Sequence, residues 1–283
     1  MNKLVSAIIT THNRRDLLIR AVKSVLNQTY KDIELIVVDD ASDERADELL
    51  KEFDLQYIYI PKEESKGGNH ARNTGILAAK GEYVAFLDDD DYWLPTKIDK
   101  QIVLIESKKC DIVYCGQTNE WLSDESIRYV GSLPKHEGDL SKIILYNICA
   151  TTTNILVRKK TICDVGLFDE NLRFWQEYEL TIRLAQVSPF YFVNEPLSVY
   201  RINRKDKNRL TNKYNGWKKA VRYIKKKHKI LYKRLNFSEK IKYRLLVYTD
   251  GRYRCIDSGK YYRARIYSYQ IRIAKKFLSL TKR

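Results

Sequence analysis

The sequence has no apolar run long enough to cross a lipid bilayer, which argues against an integral membrane protein. A spanning helix needs about 20 consecutive apolar residues, and no segment of the 283 residues approaches that length. The N-terminal apolar run from Leu4 to Ile9 is also too short for the core of a signal peptide. We therefore expect a protein that is made in the cytosol and stays there.

Paired cysteines are also lacking. The five cysteines form no CxxC pair, and no histidine lies at zinc-finger spacing from them. An odd number of cysteines without a regular framework is typical of reduced, mostly buried thiols. We therefore expect neither a disulfide-stabilised secreted domain nor a structural zinc site.

Several motifs of common enzyme classes are missing. No GxGxxG follows a strand and there is no GxxxxGK[ST], so a dinucleotide-binding or P-loop protein loses support. No HExxH is present, and no GxSxG carries a serine nucleophile. Zinc proteases and acyl-transfer enzymes of those types therefore lose support as well.

Charge is divided unevenly along the chain. In total, 52 Lys and Arg against 36 Asp and Glu give a net charge of +16. Residues 1–200 hold 24 basic and 32 acidic residues, a net of −8, whereas residues 201–283 hold 28 and 4, a net of +24. The length suffices for one large α/β domain and a smaller extension, and the charge division suggests that the two parts have different partners.

Strand-like and helix-like segments alternate in the first half of the chain. Short apolar runs predict strands at Leu4–Thr10, Ile33–Val38, Gln56–Ile60 and Tyr83–Leu87, with later ones at 111–115 and 155–157. Apolar residues at helical spacing lie between these runs, and a further helix is predicted at about 178–186. This alternation predicts an α/β fold with a mainly parallel sheet and helices on both faces.

Polar clusters follow three of the predicted strands, at the point where each strand ends. They are Thr10 to Asn13, Asp39-Asp40, and Asp88 to Asp91. In open sheets of this type, ligands bind in the crevice beyond the carboxyl ends of the strands. We therefore expect one functional site that these three clusters share.

The four consecutive aspartates from Asp88 to Asp91 cannot all be ionised close together without a compensating cation. Carboxylate oxygens favour Mg²⁺ or Mn²⁺, and Mg²⁺ takes one or two of them together with phosphate oxygens. A solvated acidic loop is the alternative, but the position after a buried strand favours a metal and phosphate site. For Asp39 and Asp40, the sequence does not decide between capping a helix and accepting a hydrogen bond from a base or ribose. His12 alone indicates neither a structural nor a catalytic role.

Two stripes of apolar residues at helical spacing, Trp217 to Leu235 and Tyr262 to Leu280, predict amphipathic helices with a cationic polar face. Nucleic-acid binding is not expected, because the chain carries no recognised nucleic-acid motif. These helices could pack against the α/β domain or contact an anionic membrane surface, and the sequence does not decide between the two. The two are compatible if they use opposite faces.

Three motifs in order carry a resemblance to a known family. The segments SAIITTHNR, LIVVDDASD and GGNHARNTGILAAKGEYVAFLDDDDYWLP resemble successive signatures of glycosyltransferase family two, which has the GT-A fold. Further on, GLFDENLRFWQEYELTIRLA resembles the acceptor-side segment of that family. The resemblance covers residues 3–202. It implies a catalytic domain at 1–203, with a nucleotide-sugar-binding half at about 1–115 and an acceptor-side half at about 116–203, before a basic helical region at 204–283.

The resemblance also implies roles for individual residues. Those with a nucleotide-sugar-binding role are Thr10, His12, Asp40, Arg72, Asn73, Asp88 and Asp89. Asp90 would hold a divalent metal, Mn²⁺ or Mg²⁺, while Asp91 would be a loop or cap residue. Glu177 occupies the position of the catalytic base.

Two positions depart from the family pattern. The base segment reads Gln176-Glu177, where the family usually has Glu-Asp, so the carboxylate is kept with one more methylene. Asn203 stands where family members often have a histidine, which puts a diphosphate or metal contact from that position in doubt. A non-catalytic protein with the same fold is therefore an alternative, and a sugar nucleotidyltransferase a more distant one.

The function implied by the resemblance is transfer of a sugar, with inversion, from a nucleoside-diphosphate sugar to a hydroxyl group. A UDP-sugar is the favoured donor, and a glycan or lipid-linked acceptor in the synthesis of cell-surface polysaccharide or glycoconjugate is the expected partner. We expect the protein in the cytoplasm, with the inner face of the cell membrane as a peripheral location.

Overall fold

A computed structural model describes residues 3–122, 127–203 and 214–280. Its centre is a sheet whose nine strands within the described residues run β3-β2-β1-β4-β8-β6-β9-β5, with β7 paired to β6. The strands are β1 Val5–Thr11, β2 Ile33–Asp40, β3 Gln56–Ile60, β4 Tyr83–Asp88, β5 Tyr92–Trp93, β6 Ile112–Leu122, β7 Ile127–Ser132, β8 Ile155–Arg158 and β9 Phe190–Asn203. All six predicted strands are confirmed.

The first four strands are parallel to one another, and β1 lies between β2 and β4. Beyond β4, the short strand β8 runs antiparallel to both of its neighbours, β4 and β6. Strand β9 then pairs parallel with β6, with register shifts around Gly116. The predicted mainly parallel sheet is therefore confirmed, with its antiparallel members in the second half.

The helices of the described residues connect the strands and cover both faces of the sheet. They are α1 Arg15–Leu26, α2 Asp47–Leu50, α3 Gly68–Ala78, α4 Lys97–Lys108, α5 Lys159–Asp164, α6 Gln176–Leu184, α7 Tyr214–Lys227, α8 Lys229–Lys233, α9 Phe237–Asp257 and α10 Tyr261–Leu280. Side chains alternate across each strand, so neighbouring residues of β1 enter different cores. Ile8 packs in the core beside α3 and α6, and Ile9 in the core beside α1 and α4.

The first predicted stripe of the basic segment is largely buried. In α7, Trp217 and Ile224 are each 1% exposed and belong to the same apolar core as Tyr178 of α6. The hydroxyl groups of Tyr178 and Tyr232 lie 2.9 Å apart. The first stripe is therefore part of the core that α6 and the sheet share.

The second predicted stripe is different, because it lies on the exposed side of α10. Helix α10 buries only small residues, Ala264 and Ala274, where it packs along α9. Helix α9 itself was not predicted. It contains Gly251, where an added Cβ would lie 2.7 Å from Trp217 and 2.9 Å from Tyr267. Helix α9 therefore packs closely between α7 and α10.

Within the described part of the chain, no helix combines the length and apolar character that a bilayer crossing requires. The five cysteines, all in described residues, are free thiols, and Cys110, Cys115 and Cys255 are buried. The expectation of mostly buried cysteines is therefore confirmed.

Candidate active site

Three strand ends meet at one edge of the sheet, as their sequence positions predict. In the register, Thr10 of β1 lies between Val38 of β2 and Asp88 of β4, and Thr11 lies beside Asp39. Parallel strands of similar length finish at the same edge, so their polar ends become neighbours without further folding. The three predicted polar clusters therefore form one site.

Arginine side chains from two helical segments neutralise the aspartate cluster. Arg14 Nη1, just before α1, donates to Asp89 Oδ1 at 3.1 Å and to Asp90 Oδ2 at 2.9 Å. Arg72 of α3 donates from Nη2 to Asp88 Oδ1 at 2.5 Å. These guanidinium groups supply the positive charge that closely spaced carboxylates require.

The four aspartates divide into two exposed and two buried side chains. Asp88 and Asp90 keep about a third of their side-chain surface exposed, at 33% and 31%, whereas Asp89 and Asp91 are buried. Burial raises the pKa of Asp89 to about 6 despite Arg14, and raises the pKa of Asp91 well above its usual value. Asp88 and Asp90 are therefore the members of the cluster that can face a ligand.

Asp91 joins the aspartate turn to β9. Its Oδ1 accepts a hydrogen bond from the Arg201 backbone N–H of β9 at 3.0 Å. Arg20 of α1 donates to the Asp90 carbonyl oxygen at 2.5 Å and stacks on the Tyr92 ring. Glu120 of β6 lies buried between the side chains of Arg20 and Arg201. These contacts fix the turn that presents Asp88 and Asp90.

Asp39 and Asp40 have different surroundings. Asp39 accepts hydrogen bonds from the Ser42 backbone N–H at 3.0 Å and from the Tyr57 hydroxyl at 2.7 Å. Asp40 is 7% exposed, and its Oδ1 has no hydrogen-bond partner among the described residues. A buried carboxylate oxygen without a partner is costly, so this oxygen is suited to accept a hydrogen bond from a ligand.

His12 and the residue after it connect the loops that follow β1 and β2. His12 Nδ1 lies 2.6 Å from the Asp40 carbonyl oxygen, which can only accept, so the histidine nitrogen donates. Asn13 adopts a left-handed conformation (φ 55°), and its side-chain carbonyl accepts from the Asp43 backbone N–H at 2.8 Å. The His12 ring therefore lies at the crevice, held against the end of β2.

Arg72 and Asn73 are neighbours on α3 that point to different parts of the molecule. Arg72 is 7% exposed and faces Asp88, and its Nε has no partner among the described residues. Asn73 exchanges hydrogen bonds with the backbone of Phe168 and donates to Glu170 at 3.0 Å. The structure therefore brings Arg72 to the aspartates and uses Asn73 to attach α3 to the segment before α6.

Glu177 lies at the start of α6 and interacts electrostatically with Arg72 and Asp88, so the acceptor-side segment reaches the same crevice. Burial raises the pKa of its carboxyl group, and its own backbone N–H together with Arg72 and Arg254 acts in the opposite direction. A carboxylate with a raised pKa is a stronger base than an exposed one.

The neighbouring carboxylates of Glu179 and Asp169 form ion pairs and hydrogen bonds with other side chains. Glu179 contacts Arg183, Lys227 and His228 at 2.7, 2.8 and 2.9 Å. Its burial favours a higher pKa, but these hydrogen bonds outweigh burial and lower the pKa to about 2. Asp169 likewise bonds Lys227 and Tyr223, and its pKa is lowered. Among these three carboxylates, Glu177 therefore has the properties of a base.

The comparison with protein families identifies the kind of site. The family model described as glycosyl transferase family 2 matches residues 6–162, more than half of the chain. That range contains the ends of β1, β2 and β4 and both aspartate clusters. The chain belongs to glycosyltransferase family 2.

Relatives of known sequence agree with this membership. An uncharacterized glycosyltransferase of Rickettsia typhi is 33% identical over 205 residues, covering 71% of this chain and 64% of the relative. The Escherichia coli protein WfaP, named as a UDP-Glc:alpha-D-GlcNAc-diphosphoundecaprenol beta-1,3-glucosyltransferase, is 40% identical over 158 residues, covering 55% and 61%. The match therefore spans less than two thirds of the length of these relatives.

Solved structures confirm the GT-A fold of this member of glycosyltransferase family 2. Residues 1–349 of S. aureus TarS, determined in complex with UDP-GlcNAc, superpose with a TM-score of 0.64 at 17% identity, covering 89% of this chain and 72% of that one. A second structure of TarS gives a TM-score of 0.61 at 18% identity. The predicted family and fold are therefore both confirmed.

Several residues that build this family 2 site were not found from the sequence. Thr11 rather than Thr10 donates to Asp89, at 2.8 Å, while Arg14, Arg20 and Glu120 support the aspartate turn. Strand alternation could have signalled Thr11, because neighbouring strand residues face opposite sides. The arginines carry no local signal, since their partners lie some 70 positions away in the sequence.

Arg254 is a further site residue that no sequence pattern indicated. It lies on α9, is bonded to Asp250 at 2.9 Å, and stacks over Phe174 and Trp217. Trp217 in turn packs against Trp175, two residues before Glu177, with ring centroids 5.9 Å apart. The C-terminal helices therefore form part of the wall behind the candidate base.

Proposed function

We propose that this protein transfers a sugar, with inversion of configuration, from a UDP-sugar to a hydroxyl group of a lipid-linked glycan acceptor. The observation that carries the proposal is the position of Glu177. It lies in the first turn of α6, burial raises the pKa of its carboxyl group, and the charges of Arg72 and Asp88 act on that pKa. Glu179 and Asp169, in contrast, are held by cations.

The proposed donor site lies along the ends of β1, β2 and β4. The unpartnered Oδ1 of Asp40 would accept from the imide N–H of a uracil base, and Thr10 and His12 would line the base and ribose. Arg72 and Asp88 are proposed to contact the rest of the nucleotide sugar. Buried Asp89, bonded to Thr11 and Arg14, and Asn73, bonded to Phe168 and Glu170, are proposed to position them. Two comparisons support UDP, since WfaP is named for UDP-Glc and a structure of TarS contains UDP-GlcNAc.

The proposed chemistry is a single displacement. Glu177 would take the proton from the acceptor hydroxyl as that oxygen bonds to the anomeric carbon. The bond from the same carbon to the diphosphate breaks, and its electron pair leaves with the nucleoside diphosphate. A positioned general base typically contributes about 10²–10⁴-fold to the rate. Arg14 and Arg72 could then turn from the aspartates toward the departing phosphates.

We propose Asp90 as the protein ligand of Mn²⁺ or Mg²⁺. Its oxygens are the hard donors that these ions prefer, and the side chain is partly exposed. No group of three or more His, Cys, Asp and Glu side chains in residues 3–122, 127–203 and 214–280 is placed to hold a metal ion, which fits a cation shared with phosphate oxygens. Such a cation, when bound, would stabilise negative charge on the leaving diphosphate.

The proposed acceptor is supported by one relative and by the charge of this chain. WfaP is named for a diphosphoundecaprenol-linked acceptor. The net charge of +24 in residues 201–283 suits a substrate anchored in an anionic membrane. This acceptor would place the reaction at the inner face of the cell membrane.

Substitution of Glu177 by Gln tests the proposal. The change keeps the size of the side chain and removes proton acceptance, so UDP binding should persist while sugar transfer falls by about 10²-fold or more. Exposed Glu64→Gln is the matched control and should transfer sugar normally. In the unmodified protein, transfer should decline as pH falls through a pKa above 4.5, because burial raises the pKa of Glu177.

Two outcomes would contradict this assignment. Transfer by Glu177→Gln at close to the normal rate would place the base elsewhere. Tight UDP binding without turnover, across a panel of nucleotide sugars and lipid-linked acceptors, would favour a non-catalytic binding protein of the same fold.

A further inference from the structure

The outer face of α10 carries a continuous row of large apolar side chains that nothing in the described structure covers. The row, called here the outer stripe, recurs every three or four residues. Its members are Tyr262, Ile266, Tyr269, Ile273, Phe277 and Leu280, with exposed fractions of 78, 44, 66, 40, 49 and 59%. Isolated exposed apolar residues are common, but six on one helix face form a patch.

The outer stripe is not the face by which α10 attaches to the protein. Attachment uses the opposite side, where Ala264 and Ala274 are each 6% exposed. On that side, Tyr267 meets the Tyr214 hydroxyl at 2.9 Å, and Ser268 accepts from Arg252 at 3.0 Å. Helix α10 is therefore fixed by its small and polar side, and the apolar side faces outward.

The charge around the outer stripe has one sign. Residues 261–280 contain no Asp or Glu. At 100° per residue, Arg265, Arg272 and Lys276 fall together along one edge of the stripe, and all three are exposed. An exposed apolar face bordered by cations and aromatic rings is the pattern of a helix that lies in a membrane interface.

We propose that α10 binds an anionic phospholipid surface, with the outer stripe among the lipid chains and the three cations against the head groups. Charge complementarity decides between a membrane and a second copy of this chain. Two copies paired stripe to stripe would bring like cations together, whereas an anionic lipid surface attracts each of them. Lipid binding is separate from sugar transfer, so either proposal can fail without the other.

The position of α10 relates this surface to the candidate base. Helix α9 lies between α10 and α7, with Gly251 placed against Tyr267 and Trp217. Trp217 packs on Trp175, close to Glu177. A membrane-bound α10 would therefore hold the catalytic crevice at a defined orientation to the lipid.

Vesicle binding by the full chain tests the apolar part of the proposal. Phosphatidylcholine vesicles that contain phosphatidylglycerol should sediment the protein, and pure phosphatidylcholine vesicles should bind it weakly. Ile266, Ile273 and Phe277 changed together to Ser should reduce the affinity for the anionic vesicles at least about tenfold. The matched control changes three exposed apolar residues outside α10 to Ser, namely Leu77, Val103 and Val187, and should bind normally.

The ionic part has its own variant. Changing Arg265, Arg272 and Lys276 to Gln should weaken binding to anionic vesicles by up to about 100-fold at low salt. Added salt should weaken vesicle binding by the unmodified protein toward the level of this variant, because exposed charges are screened over about 10 Å at 0.1 M salt. The control changes Lys23, Lys51 and Lys62, which are exposed on the catalytic domain, and should leave the affinity unchanged.

Insertion of the helix can be seen directly with Phe277→Trp. Its fluorescence should shift to the blue with anionic vesicles and should be quenched by brominated lipid chains. Equal vesicle binding by both serine variants, or a new tryptophan that stays in water, would overturn the proposal. Concentration-dependent dimers without lipid, lost in the α10 serine variant, would instead assign the outer stripe to a second copy.

Discussion

Asp39 and Asp40 are adjacent in the chain but differ in what their carboxyl groups do. Asp39 closes the turn after β2 through Ser42 and Tyr57, whereas the buried Oδ1 of Asp40 has no partner in the described protein. The sequence could not separate the two, because either residue can cap a turn or bind a base. The separation follows from strand alternation once the register of β2 is known.

The first prediction uses this pair. Asp40→Ala should weaken UDP binding about tenfold, since a hydrogen bond to a charged group contributes about 1.5–3 kcal/mol. Its melting temperature should be unchanged or higher, because a costly buried oxygen is removed. Asp39→Ala should do the reverse, lowering the melting temperature through the lost Ser42 and Tyr57 contacts. Calorimetric titration measures the affinity of each variant for UDP, and thermal unfolding measures its melting temperature. A D40A protein that binds UDP with normal affinity would contradict the assignment of Asp40.

The second prediction concerns Glu179. Its pKa is about 2 in the folded protein and about 4.5 when unfolded, so its ion pairs stabilise the fold above about pH 4.5. That stability, on the order of 3 kcal/mol, is lost as pH falls toward 2. Denaturant unfolding of Glu179→Gln should therefore show a large loss of stability at neutral pH and less than half of that loss near pH 3. If the loss of unfolding free energy is the same at both pH values, the ion pairs of Glu179 contribute little to stability.

Local sequence was enough to predict the site residues at the ends of strands. It was not enough to predict the residues from elsewhere in the chain that contact them. Asp88, Asp90 and Asp40 follow buried runs, so their place at the sheet edge could be predicted. Arg14 and Arg254 reach the site only through tertiary packing, from the position before α1 and from α9. No pattern within a short window of sequence contains that information.

At the scale of elements, α9 shows why one helix escaped prediction. Its apolar positions are interrupted by Gly251 and by many polar residues, so the helical period is weak. The interruption has a structural purpose, since Gly251 lets α9 lie close to Trp217 and Tyr267. A glycine that weakens the local signal is thus required by the tertiary structure.

The third prediction tests that contact. Gly251→Ala adds a Cβ at 2.7 Å from Trp217 and 2.9 Å from Tyr267, and such overpacking costs about 1–3 kcal/mol. Alanine is favoured over glycine inside a helix by about 0.5–1 kcal/mol, so a net loss of stability is expected. Gly131→Ala, where an added Cβ meets nothing within 4 Å, is the control. Equal melting temperatures for the two variants would disprove close packing at Gly251.

The two apolar stripes of the basic segment look alike in sequence and differ in the folded protein. Trp217 and Ile224 are buried in the core, while Tyr262 and Tyr269 lie on the outside. Periodicity identifies an apolar face but does not say what covers it. In α10 the small residues on the opposite face, Ala264 and Ala274, pack against α9. The helix is therefore attached to the protein while its apolar stripe stays exposed.

At the scale of the whole molecule, the apolar core is continuous across the predicted domain boundary at residue 203. Trp217, Tyr232 and Tyr243 belong to the same core as Tyr178 and Ile182 of α6. The predicted boundary therefore does not correspond to a break in packing between the described residues on its two sides. The helices from α7 to α9 complete the core that supports the candidate base.

The fourth prediction compares two truncations. Ending the chain after Asn203 should leave a protein that does not unfold cooperatively, because Tyr232 and the other core residues of α7 to α9 are lost. Ending it after Lys260 removes α10 alone, so the protein should melt cooperatively, bind UDP and fail to bind anionic vesicles. Differential scanning calorimetry and vesicle sedimentation distinguish the two. A cooperative transition in the shorter protein would show that the first 203 residues fold independently.

The segregation of charge also affects how the protein is oriented as it diffuses toward a charged surface. With −8 in residues 1–200 and +24 beyond them, the molecule is a large electric dipole. Near a negatively charged surface it would experience a torque that turns the helical end forward before contact. Orientation would then be gained during diffusion, and the salt dependence would appear mainly in the association rate constant.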